Sequence, residues 1–210
     1  MTTRFGKLLR TFALPTLMSA GLLGASCAVH AQTPPPVGVR GAITAVSGDA
    51  IQVRTNRGED LTVRIGSNTQ VRAVTLAKVS DIKPGSYIGT AATPLPDGSL
   101  KALEVHVFPP AMAGTGDGHR AWDLAPKSTM TNGTVGDLVA TNGRTLTLKY
   151  KGGEKKIVVP DDVPIVNLEP GDRSLLTVGT KVVLFATKEA DSSLSANFIS
   201  AGKDGVTPPM

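Results

Sequence analysis

The sequence predicts an all-β protein built as two tandem small β-barrel modules joined by a Gly-rich linker. Apolar residues recur with a period of two in short β-branched runs separated by Gly, Asp and Asn, and no segment sustains a helical period. The second half of the chain also repeats the first at an offset near 94 residues.

Residues 1–31 read as a secretory signal peptide. Arg4, Lys7 and Arg10 precede an apolar stretch from about Phe12 to Val29, and Val29-His30-Ala31 places small residues before a cleavage point at Gln32. Cleavage between Ala31 and Gln32 predicts a periplasmic or secreted protein. Lipoprotein processing at Cys27 is the secondary reading, weakened by Gly24 where such a motif wants Leu. The stretch is marginal in length for a membrane anchor, and no later segment is a candidate transmembrane helix. Cleavage removes Arg4, Lys7, Arg10 and Cys27, so 22 basic and 17 acidic residues become 19 and 17, and the formal charge falls from +5 to +2. The hint of a nucleic-acid or membrane partner that a basic chain carries largely disappears. A mature chain without cysteine has no disulfide scaffold and no Cys-based metal site.

Residues 32–37 form a Pro-rich extended leader. In the first module, 38–108, Ile43, Ala45, Ile51 and Val53 alternate with polar residues, as do Leu61, Val63 and Ile65 around Thr62 and Arg64. Gly48-Asp49 and Arg57-Gly58-Glu59 are the turn candidates, and Lys78 to Ile82 is the best helical turn, ended by Pro84-Gly85. Residues 109–130 have no period and read as a long linker. The second module, 131–202, repeats the first. Gly133-Thr-Val aligns with Gly41-Ala-Ile, Gly153-Glu154 with Gly58-Glu59, and Arg173 to Gly179 with Val79 to Gly85. Residues 203–210 read as a loose tail. A unit of roughly 70 residues has a marginal core by itself. Closure of each into a barrel, which removes strand edges, is therefore expected.

The run from Gly41 to Val53, then Leu61-Thr-Val-Arg-Ile65, then Val79-Ser-Asp-Ile-Lys-Pro-Gly85 resembles an uncharacterised bacterial secreted β-domain (domain of unknown function) family, whose members are OB-like and often occur in tandem copies. The likeness covers about Val39 to Val107 in the first copy. It is more divergent in the second, where Leu175-Leu-Thr-Val178 replaces the Asp81-Ile-Lys-Pro84 stretch. The resemblance implies an OB-like fold in a two-copy arrangement and no activity, substrate or catalytic residue. Relatives with this layout resemble proteins sometimes labelled metal-transport permeases. Without spanning helices, this leaves an accessory role beside a transporter.

Nothing in the motifs points to an enzyme. The mature chain has two histidines and lacks both G-x-S-x-G and H-E-x-x-H. His106, in Leu103-Glu-Val-His-Val107, is expected to face solvent beside Glu104, because Leu103, Val105 and Val107 share the other face. Asp161-Asp162, between prolines, reads as a turn. The linker stretch Gly114 to Asp123 is the most unusual. Asp117, His119 and Asp123 have side chains suited to a weak divalent-metal site, the one cofactor the sequence points toward. Gly116, Arg120 and Trp122 form a candidate binding seam. The structural alternative makes Trp122 a plug between the modules, with Arg120 paired to Asp117 or Asp123. Arg54, Arg64 and Arg72 are candidates for an anionic-ligand face. They lack the interleaved aromatics that single-strand recognition uses, so nucleic acid is not the expected partner.

The sequence therefore reads as a non-enzymatic periplasmic or secreted binding or scaffold protein for an envelope protein or a small ligand. The alternatives are a metal-binding accessory protein of an envelope transport system, and a binder of anionic glycan or nucleic acid through the Arg face.

Overall fold

The computed structural model describes residues 2, 36–139 and 144–210; the predicted signal peptide, its cleavage site, Cys27 and most of the leader lie outside the described residues. The first repeat supplies β1 (Val37–Ser47), β2 (Ala50–Thr55), β3 (Asp60–Arg64), β4 (Gln70–Leu76), a 3-10 turn at Val79–Asp81, β5 (Tyr87–Pro94), β6 (Leu100–Ala102) and β7 (Val105–Val107). After a 3-10 turn at Pro110–Met112, the linker forms β8 (Gly118–Ala121). The second repeat supplies β9 (Thr129–Val139), β10 (Thr145–Tyr150), β11 (Gly153–Val158), β12 (Ile165–Pro170), a 3-10 turn at Arg173–Leu175, β13 (Lys181–Lys188) and β14 (Leu194–Gly202). No α-helix occurs among the described residues, and the protein is all-β.

The period of two is what forms these strands. Val39, Ile43, Ile51, Val53 and Val63 are buried, while Arg54, Thr62 and Arg64 between them are exposed. Gly48 and Gly58 turn the first two hairpins at φ of 56° and 86°. Gly41 and Gly133 answer a different need. A Cβ on Gly41 would lie 2.1 Å from the Arg54 carbonyl oxygen, and one on Gly133 would lie 2.5 Å from that of Lys149. The same close backbone approach recurs at equivalent places in the two repeats.

Strand order departs from the tandem expectation. β1, β2, β3, β14 and β13 close a five-strand circuit that is antiparallel except for β3–β14. β9, β10, β11, β6 and β5 close a second circuit in the same order, with β11–β6 its parallel pair. Each circuit takes three strands from one repeat and two from the other. The spans 38–108 and 131–202 therefore do not close separately: each circuit combines strands from both. The reason lies in β4 and β12. Each runs extended out of its own barrel and pairs antiparallel with the other, so that Val74 faces Leu168, its own counterpart at the repeat offset. β4 then joins β14 in parallel and β12 joins β7 in parallel, completing a local two-fold arrangement.

Three cores result. Ile43, Ile51, Val63, Leu184 and Ile199 help fill the first barrel. Ile88, Val135, Leu146, Leu148 and Ile157 help fill the second. Val74, Phe108, Val166, Leu168 and Val183 pack where the central strands meet. Met210 belongs to this third cluster, and Arg40 Nε donates to its main-chain oxygen at 2.8 Å. The tail is therefore packed and not loose, because its apolar side chains find this seam. The linker is likewise ordered where β8 adds antiparallel to the edge of β9.

Candidate functional site

The site forms on the row of residues across β7, β5 and β9. Gly89 pairs with His106 on one side and Asn132 on the other. A Cβ on Gly89 would lie 2.1 Å from His106 Nε2 and 2.5 Å from Asn132 Oδ1. The missing side chain lets the imidazole and the amide lean together. Both are 4% exposed. Glu104, fully buried, holds His106 Nδ1 with Oε2 at 3.0 Å and accepts the Ala91 N–H at 2.6 Å. Asn132 Nδ2 donates to the Thr115 carbonyl at 3.1 Å, while its Oδ1 has no partner among the described residues.

His106 therefore does not face solvent as the strand alternation predicts. The alternation is real, but the second face of β7 is also covered. Phe108 packs edge-on against the imidazole at 5.0 Å, and the inter-barrel seam lies beyond. A glutamate-oriented imidazole beside a cavity is half of an acid–base apparatus. Among the described residues, no hydroxyl is hydrogen-bonded to Nε2, and the structure shows hydrogen bonds only at Nδ1.

Beside this row is a cavity of about 310 Å³, lined by side chains of both repeats and the linker. Phe108, Met130, Leu168, Val183, Phe185 and Phe198 make its apolar wall. Trp122 and Arg120 cover it from β8 and the residue after. The indole packs on Phe185 with centroids 5.2 Å apart, and the Arg120 guanidinium stands 5.5 Å from the indole centroid. A larger, more open depression of about 710 Å³ shares Arg72, Thr115 and Phe198 with it.

Of the candidate seam, Gly116, Arg120 and Trp122 come together at this cavity. Arg120 donates to the Gly116 carbonyl at 2.9 Å, and not to Asp117 or Asp123. The proposed metal triad does not converge. Asp117 accepts the Lys151 N–H at 2.7 Å and lies 3.5 Å from the Tyr87 hydroxyl. Burial and the Asp117 charge push the Tyr87 phenol up to about 12, which keeps it a donor. His119 hydrogen-bonds Thr131 Oγ1 at 2.8 Å and stacks on Tyr150. Asp123 meets Arg40 in a two-pronged pair at 2.7 and 3.0 Å, and that guanidinium holds the carboxyl below its usual range. No group of three or more His, Cys, Asp or Glu side chains suited to a metal occurs among the described residues. The spacing fails because β8 alternates. His119 and Arg120 take opposite faces, and the two aspartates lie beyond the strand's two ends.

The arginine face is also divided. Arg54 is paired with Asp60 at 2.8 Å, and Arg64 with Asp191 at 3.4 Å. Arg72 instead enters the cavity. Its position follows from β4, where Val71 joins the first barrel's core and Arg72 and Val74 lie at the seam. Sequence reasoning missed Asn132, Phe185, Phe198 and Ser200. Each sits in a strand whose other face is apolar, so the pattern reads them as solvent-facing.

Burial, with help from the Lys155 charge, lowers the His119 pKa from its ordinary 6.5. A depressed folded-state pKa means that the unfolded chain takes the proton first. This contribution to stability is thus complete above about pH 6.5 and declines as pH falls toward the folded value. An NMR titration of the ring protons should show a midpoint below 6.5. His119→Gln should flatten the matching part of the stability–pH curve, and an unchanged slope would refute the assignment.

Comparison of the chain with protein-family models, curated proteins and solved structures finds no match.

Proposed function

We propose that the chain is a non-enzymatic envelope binding protein made of two OB-like barrels, and that its ligand occupies the cavity under Trp122. The cavity itself carries this reading. It is apolar and aromatic, has a few polar groups at its margin, and lies where the two strand circuits meet, features usual in a small-molecule site. Its volume is at the small end of such sites, so the ligand is a compact molecule and not a polymer. The strand order 1-2-3-5-4 with a parallel 3–5 pair in the first circuit, matched in the second by a permuted order in which β5 and β6 come first in the chain, supports the OB-like description. A signal peptide at 1–31 would deliver the protein to the envelope.

The test is a screen of small aromatic fragments read by NMR at the Trp122 indole N–H and the Met130 and Met210 methyls. Binders should shift these signals together. Ser200→Phe, which fills the cavity from its half-buried rim, should abolish the shifts while leaving the barrel-core signals unchanged. Fragments that bind equally well to the filled variant, or a screen with no effect on these signals, would overturn the proposal.

A further inference from the structure

The cavity has an unusual charge arrangement. Its lining contains the guanidinium groups of Arg72 and Arg120 and no carboxylate among the described residues. Four other arginines find acids, while Arg173 turns to the Ile65 and Gly66 carbonyls and Arg57 forms no ion pair among the described residues. Arg40 pairs with Asp123, Arg54 with Asp60, Arg64 with Asp191, and Arg144 with Asp161. Arg72 is half-buried, is disfavoured as a cation by that burial, and forms no ion pair among the described residues. Its guanidinium lies 4.9 Å from the Phe198 centroid, where the smaller cavity meets the larger depression.

A guanidinium stacked on an aromatic face is held in orientation with its forked donors still free. A desolvated cation without a counterion raises the affinity of the site for an anion, because the anion supplies the compensation that the protein omits. Phe108, Phe185 and Trp122 offer ring faces and edges to a planar body on the inner side. Arg72 stands where the other end of such a molecule would emerge. The position is also one at which the repeats differ. The counterpart of Arg72 at the repeat offset is Val166, and that of His106 is Ser200. The two-fold arrangement is thus broken at the cavity, and the charge lies on one side only.

We propose that the ligand is a small aromatic carboxylic acid, with its ring in the cavity and its carboxylate on Arg72. The proposal rests on the reading of this cavity as a ligand site and specifies the chemical class that the site takes. A phenyl ring on a short aliphatic acid suits a cavity of about 310 Å³. A free inorganic anion lacks the apolar half, and a neutral aromatic lacks the charge.

The experiment titrates the full chain with 3-phenylpropanoate, its amide and the corresponding amine. Calorimetry gives affinity, and Trp122 emission reports location, since it is the chain's one tryptophan. The acid should bind saturably with a change in Trp122 emission, at least tenfold more tightly than the amide, with no binding by the amine. A tenfold preference corresponds to about 1.4 kcal/mol. Arg72→Gln should bring the acid down to the level of the amide while leaving the amide's affinity unchanged, which also shows that the cavity survives the substitution. Equal binding of acid and amide by the parent, or an acid preference that persists in Arg72→Gln, overturns the assignment of ligand class but leaves the cavity a binding site. Absence of binding by all three compounds overturns the site reading itself.

Discussion

Glu104→Leu should destabilise the protein by about 3 kcal/mol or more, although the substitution exchanges one buried side chain for another of similar size. Two buried groups depend on the Glu104 carboxylate: the Ala91 N–H at 2.6 Å and His106 Nδ1 at 3.0 Å. Leucine accepts neither hydrogen bond. Each buried group left without a partner costs about 1–3 kcal/mol. For a chain of this size, 3 kcal/mol is roughly 6–12 °C in melting temperature. Glu104→Gln retains an acceptor oxygen and should lose about half as much. The pair Glu104→Leu with His106→Leu should recover part of the loss, because removing both partners leaves fewer orphaned groups than removing one. Denaturant unfolding with an unchanged m-value would measure all three. A Glu104→Leu variant within about 0.5 kcal/mol of the parent, the range of an ordinary surface change, would show that the pair does not hold this region together.

Why this pair was not legible in the sequence says much about the rest. Glu104, just before β7, and His106 within it are two residues apart in extended chain, so alternation correctly puts them on one face, opposite Val105. The local pattern cannot say whether a second layer covers that face. Here it does, because β7 lies in the seam between the barrels and not on an outer wall. Phe185 and Phe198, by contrast, are exposed as alternation reads them, and what the pattern lacks is that they rim a cavity. The turns at Gly48 and Gly58 and the alternation in β1 to β3 were legible, since each is fixed by residues close in sequence. Exchange between the repeats was not. β5 and β13 carry the same pattern and suit the same open edges, so the sequence specifies a strand with a buried face without specifying which copy's edge receives it. The seam residues Gly116, Arg120 and Trp122 were found by composition alone. The metal triad drawn from the same stretch failed because composition does not reveal that Arg40, Lys151 and Thr131 already engage its members.

The exchange leads to the largest effect expected of any change to the chain. Removing residues 171–210 deletes β13 and β14, the last strands in the sequence, yet the barrel that should open is the one begun by the first strand. The first circuit loses two of its five strands and, with them, Leu184, Ile199 and Ala201 from the core around Ile43 and Ile51. A three-strand remnant of this kind exposes two unpaired edges and half a hydrophobic face, which does not hold independently at this size. The second circuit keeps all five strands, β5, β6, β9, β10 and β11, together with Ile88, Leu146, Leu148 and Ile157. Hydrogen exchange on the shortened chain should therefore find fast amides in β1 to β3 and protected ones in β9 to β11. Stability varies by cooperative unit, and here the units are the circuits and not the halves of the sequence. Two barrels each closed within its own repeat would give the opposite result, with β1 to β3 protected and β9 to β11 open. The pattern of protection thus separates the two topologies in one measurement. Because Val183, Leu184, Phe185, Phe198 and Ser200 leave with the deleted strands, the same variant should also lose the cavity and every fragment-induced shift at Trp122.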